Sequence, residues 1–304
     1  PDFDNGVDRD ALALLLRFDY IAAPYCIHER CFKLQPGTVL RLDAATVAAG
    51  AGGHDPMRDQ QRYWDPRARM TSAIAQGFDG DADAATGRLE SLLREAVADR
   101  MVADVPVGVF LSGGTDSSLV TALMQVQSAQ PVRTFTIGFS GSHFDEAPLA
   151  KEVATHLGTD HNELYVDGAD ALAVVPTLPE MFDEPFADSS QVPTALVARQ
   201  ARGTVTVALS GDGGDELFFG YKRYERALRN MQWVQRVPGP VRRLIARSAQ
   251  GHGEASRTGG YAALAAEMGA HGIGDVYRNR IQRWRDPLSI VPGARSARTR
   301  YDDP

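Results

Sequence analysis

Two cysteines in 304 residues are too few for a disulfide framework, so a reducing setting, the cytoplasm, is the expectation. No run approaches the roughly 18 apolar residues of a membrane span, and Pro1 to Val7 has no basic stretch leading into an apolar core, so no membrane partner is expected. Basic residues are outnumbered, 32 Lys and Arg against 39 Asp and Glu, for a net charge of −7. General attraction to a phosphate backbone is therefore absent, and small molecules rather than nucleic acid are the expected partners. Neither the Walker spacing G-x-x-x-x-G-K nor the dinucleotide spacing G-x-G-x-x-G fits the glycine loops. What remains is the composition of an ordinary globular chain, 43% apolar and 23% charged, long enough for one large domain or two ordinary ones.

Apolar spacing predicts a helix over 8–22, capped by Asp8 or Asp10, and a Pro36-Gly37 turn into a strand at 38–42. Residues 44–80 carry glycine- and proline-rich runs with little periodicity and mark a change of module. A helix is predicted over 82–103 with Leu89, Leu92, Leu93, Ala96 and Val97 on one face. Strands at 106–111, 132–139, 163–166 and 205–210 then alternate with helices at 117–127, 145–157 and 192–202. That rhythm predicts a largely parallel α/β sheet with helices on both faces, whose ligands sit beyond the carboxyl ends of the strands. Residues 222–304 read as helices broken at "VPGP", "GHG" and "RTGG".

The chemistry concentrates where two of these strands end. In "LSGGTDSS" (Leu111–Ser118) a strand hands over to a helix through Gly113 and Gly114, so successive N–H groups can point into one concavity. Ser112, Thr115 and Ser117 add hydroxyls, and the expected guest is phosphate or pyrophosphate. Asp116 would repel a bare anion, but with Mg²⁺ between carboxylate and phosphate the objection disappears. "SGDGGDELFFGY" (Ser210–Tyr221) repeats the arrangement after another strand, with Asp212, Asp215 and Glu216. Two such loops on one sheet can converge on a single metal nucleotide; either alone would more often be a helix cap.

Together with "TFTIGF", "HFDEAPLAKEVATHLGTDHNE", the upstream "LLLRFDYIAAPYCIHERCFKLQPGTVLRL" and the block Asp183–Tyr221, these loops resemble the glutamine-hydrolysing asparagine synthetase family over most of residues 3–295. The resemblance implies a PP-loop ATP pyrophosphatase fold of the adenine nucleotide alpha hydrolase type. It implies ATP-dependent activation of the aspartate side chain as β-aspartyl-AMP, then amidation by ammonia from a glutaminase domain. By resemblance, Ser112, Gly113, Gly114, Asp116 and Ser117 hold pyrophosphate, and Asp116 with Asp215 coordinate Mg²⁺. Leu111 and Ile137 flank adenosine, Ser210 and Gly211 meet the nucleotide from the second loop, and Asp212 orients ammonia or takes its proton. Tyr221 lies near the amino-acid substrate, with Asp183 and Glu184 as lesser candidates for that pocket. A homodimer is the usual assembly of the family.

Residues 1–65 are expected to be the close of a glutaminase domain with a linker, and 66–304 a synthetase domain. The family's amino-terminal cysteine nucleophile has no counterpart here, since Cys26 and Cys31 lie in the wrong segment and read as ordinary thiols. Nothing in 222–304 matches the lysine-x-aspartate-arginine motif that family members carry late in the chain. Phe219 stands where the family commonly has glycine, which opens two alternatives: a ligase of the β-lactam-synthetase manner acting on another carboxylate, or Phe219 simply packing under the loop. A non-catalytic fragment is the third reading. His161 is expected to be structural, and Trp64, Trp233 and Trp284 to be packing anchors.

Overall fold

The structure, a computed structural model, describes residues 5–49, 59–139, 145–248, 261–284, 286–296 and 298–299. In chain order the first elements are α1 (Arg9–Phe18), β1 (Thr38–Leu40), α2 (Ala44–Ala49), β2 (Gln60–Arg62), α3 (Pro66–Gln76) and α4 (Ala82–Met101). There follow β3 (Val107–Phe110), α5 (Thr115–Gln125), β4 (Arg133–Phe139), α6 (Ala147–Leu157), β5 (Asp160–Val166), α7 (Gly168–Val174) and α8 (Leu178–Met181). The chain continues through α9 (Gln191–Arg202), β6 (Val207–Leu209), α10 (Gly214–Phe218), α11 (Lys222–Arg236), α12 (Gly239–Ser248), α13 (Tyr261–Met268) and α14 (Ile273–Ile281). The expected breaks at "GHG" and "RTGG" lie outside the described residues; the one at "VPGP" separates α11 from α12.

Two compact units form, one of Phe78–Phe182 with Asp188–Tyr221, the other of Pro1–Gly77, Asp183–Ala187 and Lys222–Pro304. In the first, β3 to β6 make a four-stranded sheet in the order β5-β4-β3-β6 with every pairing parallel. Alternation along the strands sends neighbouring side chains to opposite faces. Val109 packs with Val97 of α4 and Leu123 and Met124 of α5, while Leu111 meets Ala150 and Ala154 of α6. On the other face Phe135 packs on Ala201 of α9 and on Val205, and Val166 meets Val174 of α7 and Leu196 of α9. Both faces are covered, as the sequence rhythm requires, and each fully buried side chain of this size contributes about 1.5–3 kcal/mol. The predicted apolar face of α4 is used only in part: Val97 is buried, but Leu89 and Leu92 are more than a third exposed. Only the last turns of α4 reach the sheet.

The other unit is built on α1, whose N-cap Asp8 accepts from the N–H groups of Asp10 and Ala11. Ala13, Leu14 and Phe18 pack with Val291, Ala11 with Ile21 and Ile27, and a separate cluster joins Ala227, Ala270 and Val276. Asp10 also accepts from the backbone N–H of Arg295 at 2.6 Å and of Ser296 at 3.1 Å, and Asp19 pairs with Arg283. Trp64 and Trp233 do not act as packing anchors, being half exposed. On α11 the buried positions are Ala227 and Val234, and one residue's rotation of about 100° carries Trp233 out to solvent.

Candidate functional site

The chain runs β3, β4, β5 in one direction across the sheet and then returns to place β6 on the far side of β3. Strand order therefore reverses between β3 and β6, and crevices beyond the carboxyl ends of parallel strands open at such reversals. Both acidic glycine loops emerge here, one from β3 into α5 and the other from β6 into α10.

The first loop turns at Gly113, whose φ is +78°, and a Cβ there would stand 2.8 Å from the backbone N of Ala150. Its hydroxyls are partly spent within it. Ser112 and Ser117 Oγ lie 2.9 Å apart, the Gly114 N–H donates to Ser112 Oγ at 3.2 Å, and Ser117 donates to the Gly114 carbonyl at 3.3 Å. Ser117 is therefore buried, and its hydroxyl shapes the loop more than it displays a donor. The second loop lies directly on the first. A Cβ on Gly211 would come within 2.7 Å of the Ser117 backbone N, and one on Gly214 within 2.3 Å of Asp116 Oδ2. The Asp116 carboxylate thus rests on Gly214, the residue before Asp215.

Together the loops open on a cleft of about 1560 Å³. Leu111, Ser112, Gly114, Asp116, Ser117 and Ile137 line it from the β3 and β4 side. From the second loop come Ser210, Gly211, Asp212, Asp215 and Tyr221; of the two loops' candidate residues only Gly113 is not in the lining. Ser210 Oγ donates to Asp212 Oδ2 at 3.0 Å, and the Tyr221 phenol donates to Glu216 Oε1 at 2.7 Å. Ile137, Phe139, Leu172, Val175 and Val192 add apolar side chains to the lining. Sequence reasoning missed Thr136, Glu146, Ser189, Ser190 and Thr194, which also line it. The "DSSQVPT" run held the signal for three of these, in the turn that starts α9.

Other candidates fall elsewhere. Glu184 pairs with Lys33 and accepts the Ile27 N–H at 3.3 Å in the other unit, and neither it nor Asp183 is in the cleft lining. Phe219 does not pack under the loop: it is 51% exposed, lies outside the cleft lining, and ends α10 with φ at +62°. Left-handed backbone at that position is what a glycine would supply without strain. His161 on β5 bonds Thr134 Oγ1 through Nδ1 at 2.8 Å, and burial holds its pKa below the ordinary value. Cys26 and Cys31 are free thiols.

Among the described residues no three Asp, Glu, His or Cys side chains gather as a complete metal cage. Mg²⁺ ordinarily takes one or two carboxylates and completes its octahedron with phosphate oxygens and water. Asp116 seated on Gly214, with Asp215 next in the chain, fits an ion that arrives with its nucleotide.

A model of the family described as asparagine synthase matches residues 88–303. The chain is 34% identical over 235 residues to the Methanocaldococcus jannaschii protein named "Putative asparagine synthetase (glutamine-hydrolyzing) 2", covering 77% of this chain and 42% of that one. It is 27% identical over 246 residues to "Asparagine synthetase (glutamine-hydrolyzing) 1" of Bacillus subtilis, covering 80% and 35% respectively. With "Asparagine synthetase B (glutamine-hydrolyzing)" of Escherichia coli the identity is 34% over 171 residues, 49% of this chain and 30% of the relative. The chain thus spans about two fifths or less of the length of these relatives. With residues 88–303 of its 304 matched, the chain belongs to the asparagine synthase family.

Proposed function

We propose that the chain carries the adenylating, amide-forming part of a glutamine-dependent asparagine synthetase. In this reading ATP activates the aspartate side-chain carboxylate as β-aspartyl-AMP with release of pyrophosphate. Ammonia from a glutaminase domain then displaces AMP to give asparagine. A free carboxylate is a poor acyl donor, and the acyl phosphate anhydride supplies the leaving group. The observation that carries the reading is the interlocking of two acidic glycine loops at the β3/β6 reversal, with Gly211 on the Ser117 backbone.

The residues divide the work accordingly. Ser112, Gly113, Gly114 and the first turn of α5 receive the pyrophosphate, chiefly through the Gly113 N–H and the N–H groups of that turn, since the Ser112 and Gly114 N–H groups donate within the loop to Ser117 Oγ and Ser112 Oγ at 3.2 Å. There they can stabilise charge building on the departing group. Leu111 and Ile137 border adenosine, and Ser210 and Gly211 approach the nucleotide from the other loop. Asp116 and Asp215 would hold Mg²⁺, which when bound neutralises charge on the phosphate oxygens. Asp212, joined to Ser210 Oγ, orients ammonia or takes its proton, and Tyr221 borders the amino acid. The cleft exceeds the roughly 300–1,000 Å³ of a single-ligand site, leaving room for a nucleotide and a second substrate. Since Phe219 is outside the lining, the feature that had suggested a different carboxylate no longer argues for one. Residues 1–65 belong in this reading to the close of a glutaminase domain, 66–304 to the synthetase domain, and a cytoplasmic homodimer is the assembly.

The test is exchange of labelled pyrophosphate into ATP by the purified full-length protein. Exchange should require Mg²⁺ and aspartate together. Exchange equally fast without aspartate, or none with it, would overturn the reading.

A further inference from the structure

The second loop contains a side-chain clamp that the roles above leave unused. Tyr221 and Glu216 both line the cleft, and the phenol donates to Glu216 Oε1 at 2.7 Å across a five-residue span. The span is closed by the short helix α10 and its left-handed end. Phe219 takes φ +62°, and the Gly220 N–H returns to the Asp215 carbonyl at 2.9 Å. Tyr221 is thereby brought back beside the start of the helix that carries Glu216.

The direction of this hydrogen bond has a chemical consequence. A phenol has one proton to give, and an ionised carboxylate can only accept. With that proton committed to Glu216, the phenolic oxygen can only accept from any group in the cleft, and the neighbouring carboxylate adds negative charge beside it. Such a pair suits an ammonium group and disfavours a second carboxylate. We infer that Glu216 is a positioning residue that turns Tyr221 into an acceptor for the α-ammonium group of the amino-acid substrate, so that the pair selects an amino dicarboxylate over the same dicarboxylate without the amine. The inference rests on the proposed function and deepens it.

The experiment is calorimetric binding of L-aspartate and of succinate, its analogue lacking the amine, to the full-length protein loaded with Mg²⁺ and a non-hydrolysable ATP analogue. Removing a hydrogen bond to a charged group costs about tenfold or more in affinity. Tyr221→Phe and Glu216→Ala should each weaken aspartate about tenfold and leave succinate within about twofold. Glu216→Gln, whose amide oxygen can still accept the phenolic proton, should restore most of the aspartate affinity. In pyrophosphate exchange the same variants should raise the KM for aspartate and leave that for ATP unchanged. Wild-type preference for aspartate that persists in Glu216→Ala, or an equal loss for both ligands, would overturn the inference and leave the proposed function standing. Wild-type protein that binds aspartate not at all would overturn both.

Discussion

Gly211→Ala puts the interlocked loops under direct test. A methyl group at this position would lie 2.7 Å from the Ser117 backbone N and 3.0 Å from both the carbonyl carbon and the Cβ of Asp116. Two of these three neighbours are backbone, so no side chain can swing aside. Restoring an ordinary contact near 3.4 Å requires the loops to part by about 0.7 Å (3.4 minus 2.7). Overpacking of this kind costs about 1–3 kcal/mol. The displacement falls on the first turn of α5, where the phosphate donors are. Losing one hydrogen bond from that turn to a charged phosphate oxygen should weaken MgATP binding about tenfold or more. Urea denaturation and MgATP calorimetry on the full-length protein measure the two effects separately. A variant as stable as wild type that binds MgATP unchanged would show that the loops do not bear on one another, and the shared-nucleotide argument would fail.

Gly87, inside the exposed part of α4, has nothing within 4 Å of its missing Cβ, so Gly87→Ala should stabilise by about 0.5–1 kcal/mol in the same urea melts; destabilisation would mean that the helix is not formed there. Asp116→Asn keeps the volume and removes the charge, so Mg²⁺ should enhance ATP affinity about tenfold less, while metal-free ATP binds as well or better. An unchanged Mg²⁺ dependence by calorimetry would remove Asp116 from the ion. Burial lowers the folded-state pKa of His161 beneath 6.5, so between that lowered value and 6.5 the unfolded chain binds more protons and stability rises with pH. Denaturation midpoints should therefore fall from pH 7.5 to 5.5, and less so in His161→Gln; parallel profiles would refute the assignment.

The sheet was legible because its strands are buried on both faces: residues 107–111 form an unbroken apolar run, and in residues 132–139 only Arg133 is charged. Helix ends with a chemical signal were legible too: Asp8 caps α1, and Gly158 closes α6 at φ +70°. Strand β5 begins at Asp160, three residues before its predicted start, because pairing with β4 holds polar Asp160, His161 and Asn162 in register with Arg133, Thr134 and Phe135. Helices α7 and α8 went unread because Pro176 and Pro179 interrupt their short period. In the site, both loops were legible from glycine and carboxylate spacing. The exposure of Phe219 was not, since nothing in the string reveals a left-handed backbone at a bulky residue. The lining contributed by Ser189, Ser190 and Thr194 depends on where the start of α9 comes to rest, which is a property of packing rather than of local sequence.

The pairing of β3 with β6 joins Val107 to Val207, one hundred positions apart in the chain, whereas Arg133 of β4 meets Asp160 of β5 after only 27. Closing so long a segment is entropically costly, so β4 and β5 can associate early while β6 docks late. The nucleotide cradle is then among the last features to assemble and the first to be lost on unfolding. A ligand spanning both loops would slow departure of β6 without hastening its arrival, acting as a brake on denaturation and not as a template for folding.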